Sequence, residues 1–288
     1  MGMDMIENLF ISAGVMKGGT TWLYSQLRNH KDIYFTPEKE IHYFANINGI
    51  EDQLNHQTRI AKFKEKIRPI QYLKSDDLVK GMDEYAWYAE YARPSTLNDA
   101  WYESLFRFSA GRRYCADFSN LYAQLDDAGW EHIRRVAKNT RVIYTIRDPL
   151  KRIWSHYKFH MFWIGRGDEV ISAGFGHFRA LVNQSYFWNN ALYARNYETM
   201  RRNLDDDSLA LFYFEDFRKD PVEMLNRICR FLDIEEIPFD KKKIEERVNA
   251  TADYSFPVEW MDYVKEKLKP EVERMKELGI YHDEWSDT

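Results

Sequence analysis

The fold class this chain predicts is a three-layer α/β domain, with a parallel sheet flanked by helices on both faces. Two observations carry the prediction. Short, continuous apolar runs recur at Leu9–Gly14, Arg113–Phe118, Arg141–Ile146 and Ser208–Phe214. They are bounded by polar residues and do not alternate, as expected of strands buried on both faces. Between them lie segments with helical spacing, and alternating strands and helices give a parallel sheet.

The elements follow in chain order. Leu9–Gly14 is the first strand, and "TTWLYSQLRNH" then sets Trp22, Leu23, Tyr24 and Leu27 at helical spacing. "WEHIRRVAKN" is a helix leading into the Arg141 strand, and "PVEMLNRICRFLDI" is a helix following the Ser208 strand. Residues 160–192 and 250–288 are expected to be irregular or helical and to cap one edge of the sheet. Ligands of open α/β sheets bind beyond the carboxyl ends of the strands. The turns after Gly14, Phe118, Ile146 and Phe214 should therefore share that edge. With no internal repeat and no low-complexity linker in 288 residues, a single domain spanning 1–288 is expected.

Composition narrows the function classes. A net charge of −5 argues against a duplex nucleic-acid binder, which is usually strongly basic. Aromatic residues make up 16%, which suits a well-filled core or a surface for flat and sugar-like ligands. Cys115 and Cys229 lie in apolar contexts without zinc-site spacing, so buried thiols are expected and no metal. "MGMDMIENLF" lacks a secretory pattern, and Ile6 breaks the myristoylation pattern. No apolar run approaches the roughly 18 residues of a membrane span, so a cytoplasmic protein is expected.

From Gly14 the chain reads Gly-Val-Met-Lys-Gly-Gly-Thr-Thr. The Walker pattern places its lysine after the glycines, whereas Lys17 precedes Gly18 and Gly19. The physics of the turn is nevertheless that of a P-loop-like, nucleotide-binding core. Glycines permit close backbone approach, and the N–H groups from Gly18 to Trp22 open a helix whose positive end attracts phosphate. Thr20 and Thr21 add hydroxyls. The alternative for the turn alone is an ordinary helix cap. In "RVIYTIRDPLKRIWSHY" a strand runs into a helix, with Asp148 as N-cap and Pro149 at the first helical position. Arg147 at the strand end and Ser155 two turns into the helix make a second anion site, unless Arg147 pairs with a carboxylate and Ser155 is merely solvated.

Together these stretches resemble sulfotransferases that use 3′-phosphoadenosine 5′-phosphosulfate (PAPS), whose desulfated product is 3′-phosphoadenosine 5′-phosphate (PAP). "GVMKGGTTWL" resembles that family's 5′-phosphosulfate loop, and "IRDPLKRIWSHY" its 3′-phosphate motif, an arginine followed eight residues later by a serine. The resemblance implies that Lys17 meets the 5′-phosphosulfate near the bridging oxygen. It also implies that Gly18, Gly19, Thr20 and Thr21 hold the 5′-phosphate, and that Arg147 and Ser155 hold the 3′-phosphate. "EKEIHYF" is similar to the segment K-E-x-H-F-F of glycosaminoglycan-type members. This makes Glu40 the candidate base and His42 its neighbour, which orients the acceptor, shares base work or is structural. "ADFSNLY" at 116–122 resembles the family's acidic, Ser-Pro and Tyr segment. "LYARNYETMRRNLDDDSLALFYFEDF" resembles its stretch from Tyr193 to Glu215, 22 residues apart, and places Tyr193 among the nucleotide-binding residues. "RVNAT" at 247–251 falls where the family closes a loop over the nucleotide.

Three departures stand out. Phe118 replaces the lysine that many glycan enzymes carry near the acceptor, no Lys-Gly-Arg stands near Asn249, and "TTW" is closer to small-molecule sulfotransferases. In those, the tryptophan at Trp22 stacks on adenine; packing in the helix core is the other reading. The resemblance thus implies sulfuryl transfer from PAPS to an acceptor hydroxyl. A carbohydrate is expected, and a small-molecule or lipid alcohol is the alternative. Arg166 and Lys158 are candidate contacts for an acidic acceptor, or else solvated charges. The rival classes are a P-loop kinase, needing Asp117 or Asp148 on magnesium, and a non-catalytic nucleotide- or glycan-binding module.

Overall fold

The structure, a computed structural model, describes residues 5–69, 75–236, 238, 244 and 254–285. Its strands are β1 (Ile6–Ser12), β2 (Ile33–Phe35), β3 (Tyr114–Asp117), β4 (Ala137–Ile146) and β5 (Leu209–Tyr213). Its helices are α1 (Thr20–Leu27), α2 (Tyr43–Ile47), α3 (His56–Ile67), α4 (Ser75–Tyr91), α5 (Asp99–Ser104), α6 (Asp127–Val136) and α7 (Pro149–Trp163). They continue with α8 (Gly174–Val182), α9 (Ser185–Trp188), α10 (Tyr193–Asn203), α11 (Phe214–Lys219), α12 (Pro221–Leu232) and α13 (Val258–Glu277).

The strands form one five-stranded sheet in the order β2-β3-β1-β4-β5, with every adjacent pair parallel. Side chains alternate across a strand, and the two halves of that alternation feed two cores. Leu9, Ile11, Val142, Tyr144 and Leu209 pack on one face with α2, α4, α5, α6 and α10 residues such as Phe44, Trp87, Tyr102, Trp130 and Met200. Phe10, Ala116, Ile143 and Phe212 pack on the other with Leu23 and Leu27 of α1 and Leu225 and Ile228 of α12. These are the expected three layers. A third apolar cluster joins α7, α8 and α13 through Tyr157, Phe178, Trp260 and Leu268. Residues 160–192 and the described part of 250–288 are accordingly mostly helical and share a core of their own.

The chain leaves β1 toward β2 on one side, and leaves β4 toward β5 on the other. The point between β1 and β4 is therefore the topological switch, where such sheets open a crevice. Two details differ from the sequence reading. β2 is an additional, three-residue edge strand, too short to show a period. β4 begins at Ala137 rather than Arg141, so "AKN" is strand and not helix. Lys138 and Asn139 at its start are exposed, and an apolar run cannot mark strand residues that project beyond the core.

Candidate active site

The turn from β1 to α1 is stitched onto the end of β4. Val15 N–H donates to the Thr145 carbonyl at 2.7 Å, and Thr145 N–H donates to the Gly14 carbonyl at 2.9 Å. A Cβ on Gly18 would lie 2.8 Å from the Thr145 carbonyl oxygen, so the close approach of the loop to β4 excludes any side chain there. Gly19 has φ +89°, and its Cβ would meet the Phe214 ring at 2.9 Å. Gly19 also serves as the N-cap of α1 and offers no side chain. The start of α1 thus has no side-chain cap, and its N–H groups face the crevice end of the sheet as groups that an anion could satisfy. Gly18, the first residue of the expected N–H cradle, spends its N–H inside the loop on the Val15 carbonyl at 2.9 Å.

Lys17 adopts φ 69°, and its ammonium lies 4.5 Å from the centre of the Phe159 ring. Burial, then Arg147, then Lys158 lower its pKa to about 8. A cation short of solvent and next to two others is a site prepared for an anion. Arg147 leaves β4 at its carboxyl end. Its Nη1 donates to the Lys17 carbonyl at 3.3 Å, and its guanidinium stacks on Phe214 at 4.5 Å. Its Nε is buried without a partner, as is the Thr145 hydroxyl. Asp148 caps α7 by accepting from Lys151 N–H at 3.1 Å, with Pro149 in the first turn. This fixes the helix that brings Ser155, Lys158 and Phe159 to the same crevice.

Glu40 comes from the segment after β2. Its Oε1 accepts from Lys39 Nζ at 2.5 Å and from Asn120 Nδ2 at 2.9 Å, while Oε2 lies 3.2 Å from His42 Nε2. Burial pushes the carboxyl up, but the hydrogen bond from His42 and the charge of Lys39 outweigh it and hold the pKa at about 2. His42 is opposed by burial and then raised by Glu40 and Glu51, a net upward shift. Lys39 also donates to Thr20 Oγ1 at 3.2 Å, linking the α1 N-terminus to Glu40.

These groups surround a cavity of about 740 Å³, a volume suited to a nucleotide-sized ligand. Lys17, Gly18, Gly19, Thr20, Thr21, Trp22, Glu40, Arg147 and Ser155 all line it. A family model described as the sulfotransferase family matches residues 9–238, most of the chain. The chain belongs to the sulfotransferase family. Among solved structures, a sulfotransferase from Alicyclobacillus acidocaldarius is 20% identical, with 97% of this chain and 98% of that one covered and a TM-score of 0.64. The sulfotransferase domain of the curacin biosynthetic pathway is 18% identical (88% and 82% covered, TM-score 0.53). That of the Synechococcus PCC 7002 olefin synthase is 16% identical (83% and 75%, TM-score 0.50). At such identities the likeness is one of fold. No curated protein sequence matches the chain.

This sulfotransferase is a PAPS-dependent enzyme by family, and its cavity fits that substrate on its own evidence. The orphaned Arg147 Nε, the uncapped α1 N-terminus and the depressed Lys17 pKa are all suited to anionic oxygens. Trp22 lines the cavity, and its ring packs edge-on to Phe217 at 5.7 Å, with Nε1 donating to the Ile244 carbonyl. His42 stands behind Glu40 and does not line the cavity.

Other expectations fall elsewhere. Tyr193 does not line the cavity: its ring is fully buried in the core beside Tyr144, because α10 presents this residue to the sheet face. Phe118 is likewise core, packed against Phe10 and Phe35, so the position where a lysine would meet an acceptor points away from the site. Arg166 is bound to Glu169 at 2.6 Å, whereas Lys158 lines the cavity. Asp117 accepts hydroxyl bonds from Tyr102, Ser119 and Tyr122, and Asp148 is taken by the α7 cap and Lys151. Neither is free to act as the kinase reading requires. "RVNAT" lies outside the described residues. Among these, no helix is long and apolar enough to cross a membrane, and no cluster of three metal-ligating side chains occurs.

Sequence reasoning missed Lys39, Asn120, Lys151, Phe159 and Arg218. Lys39 was legible, as the lysine of the K-E-x-H segment. The others reach the cavity from three segments, Asn120 after β3, Lys151 and Phe159 on α7 and Arg218 on α11, and of these only Asn120 and Lys151 lie within stretches the sequence singles out.

Proposed function

We propose that the enzyme transfers the sulfuryl group of PAPS to an acceptor hydroxyl, with Glu40 receiving the acceptor's proton and Lys17 neutralising the departing 5′-phosphate. The observation that carries this reading is the meeting of Lys17, Glu40 and Arg147 around one cavity, although they are spread over 130 positions of sequence. PAPS supplies an activated sulfuryl group joined to phosphate through an oxygen. The acceptor oxygen bonds to sulfur, the sulfur–bridging-oxygen bond breaks, and its electron pair stays on the phosphate beside Lys17. The acceptor's proton passes to a Glu40 oxygen.

In-line transfers of this kind proceed through loose transition states, so positioning and charge neutralisation contribute most of the rate. A carboxylate held at about 2 is fully ionised at neutral pH but only weakly basic. The link from Thr20 through Lys39 to Glu40 addresses this. Phosphate oxygens at the α1 N-terminus would compete for Lys39 and so relieve one of the two partners that lower the carboxylate, the hydrogen bond from His42 being the larger. Arg147 and Ser155 take the 3′-phosphate, with Lys151 and Arg218 adding positive charge nearby. Thr20, Thr21 and the α1 N–H groups take the 5′-phosphate. His42 positions Glu40.

The test is Glu40→Gln. The substitution should lower kcat about 10²-fold or more while PAP binding stays within a few-fold of wild type. Near wild-type turnover by Glu40→Gln would remove Glu40 from the proton-accepting role.

A further inference from the structure

We propose that the exposed aromatic face at the C-terminal end of α7 seats the acceptor, and that this acceptor is an uncharged, largely apolar alcohol. The inference rests on the sulfotransfer reading above, because that reading orders the groups along the helix. Ser155 stands at the 3′-phosphate end. One turn on, Phe159 lies under Lys17, where the sulfuryl group is transferred. Positions three and four residues further share the same helical stripe. Phe162 and Trp163 therefore lie on the far side of the transfer point from the nucleotide, about one 5.4 Å turn beyond Phe159.

This stripe is apolar and uncovered. Trp163 is 76% exposed and Phe162 41%, with Ile164 beside them also exposed. The Phe162 ring lies on the backbone of the following turn, where a Cβ on Gly167 would meet it at 2.4 Å; glycine there lets the ring lie close against the turn. His160 links Trp163 to Tyr186, with ring centres 6.4 and 6.3 Å away. Single exposed apolar residues are ordinary, but a set that begins one helical turn from the cavity-lining Phe159 marks a binding surface.

The charge on this face decides the class of acceptor. Arg166 is neutralised by Glu169 through two bonds at 3.0 and 2.6 Å. Burial and then His177 lower the pKa of His160, which keeps it neutral, and its Nδ1 faces the Tyr186 hydroxyl at 3.5 Å. Lys158 lies 5.8 Å from the Trp154 ring and lines the cavity near Lys17, so it stands at the transfer point, one turn before the exposed aromatics. A polyanionic glycan needs basic groups along its length, and a neutral sugar needs convergent hydrogen-bonding groups around its ring. An aliphatic or aromatic alcohol needs only the apolar face and the cavity mouth. The acceptor inferred here thus differs from the carbohydrate that the "KEIHYF" resemblance implies.

The experiment uses the full chain in three measurements. PAP affinity is measured first. Labelled sulfuryl transfer from PAPS to 1-octanol and 2-naphthol is then compared with transfer to maltose and to N-desulfated heparosan-type glycan. Finally the transfer is repeated with Trp163→Ser and Trp163→Phe, at a position exposed enough to leave folding undisturbed. The alcohols should exceed both sugars in kcat/KM by at least about tenfold, and Trp163→Ser should lose about tenfold to hundredfold, chiefly through KM. Trp163→Phe should retain most activity, and PAP affinity should be unchanged in both variants. Preference for either sugar, no alcohol turnover by protein that binds PAP, or unchanged kinetics in Trp163→Ser each overturn the proposal. Failure to bind PAP at all instead removes the donor reading, and the acceptor assignment falls with it.

Discussion

Lys17 shows how a single residue is tuned by its surroundings. Its ammonium lies against Phe159 and near two other cations, and its pKa falls from 10.5 to about 8. Below about pH 8 the folded, ligand-free protein carries a charged lysine at a cost. Between about 8 and 10.5 the unfolded chain binds more protons than the folded one, so this group's contribution to stability rises with pH across that window. Anion binding needs the ammonium and has the opposite dependence. PAP affinity should decline above pH 8, by up to about tenfold per pH unit through this group. Calorimetric titrations from pH 7 to pH 10 would check it; a flat profile in wild type would mean that Lys17 does not meet the ligand. Lys17→Arg, charged throughout, should flatten the profile.

At the scale of elements, the β1–α1 loop is the most constrained part of the site. A Cβ added at Gly18 would meet two backbone carbonyl oxygens, those of Thr145 at 2.8 Å and Val15 at 3.0 Å, and neither can move as a side chain would. Gly18→Ala should therefore destabilise the protein by about 1–3 kcal/mol, as other overpacked sites do. A shift of the denaturant midpoint at constant slope would report it, and PAP affinity should fall in parallel because the loop must leave β4. A fully stable variant with normal affinity would show that the loop is looser than its hydrogen bonds imply. α7 is rigid for a different reason. A Pro-initiated, Asp-capped start and a buried aromatic flank let it carry cavity-lining residues along its length and the exposed aromatics at its end.

On the scale of the whole molecule, the switch between β1 and β4 gathers both proposed phosphate sites at one edge, and the ligand is expected to tie the two halves of the sheet together. PAP at about 100 times its Kd should stabilise the fold by about 2.7 kcal/mol, raising the melting temperature by several degrees. ATP with magnesium lacks the 3′-phosphate that Arg147 and Ser155 are proposed to hold, and should shift it far less. Thermal denaturation with each nucleotide separates the readings: a shift with ATP alone would overturn the 3′-phosphate role and revive the kinase alternative.

The sequence by itself determined the parallel three-layer core, because strands buried on both faces must be continuously apolar. It also marked the two stretches that meet at the cavity and are proposed to hold the phosphates, because glycines, a lysine and a capped helix start are local devices written in adjacent residues. Nine of the eleven expected site residues line the cavity, eight of them from those two stretches and Glu40 from the segment after β2. Tertiary structure alone decided what depends on contacts far apart in the chain. Tyr193 turned into the core because α10 packs its tyrosine face on the sheet, and Phe118 joined an aromatic cluster with Phe10 and Phe35. Lys39 became a bridge between Thr20 and Glu40 only once α1 and the segment after β2 met. The low pKa of Glu40, the high basicity of His42 and the uncovered stripe beyond Phe159 have the same origin. Electrostatics and exposure are set by neighbours in space, and a linear pattern specifies those only where the neighbours are also close in the chain.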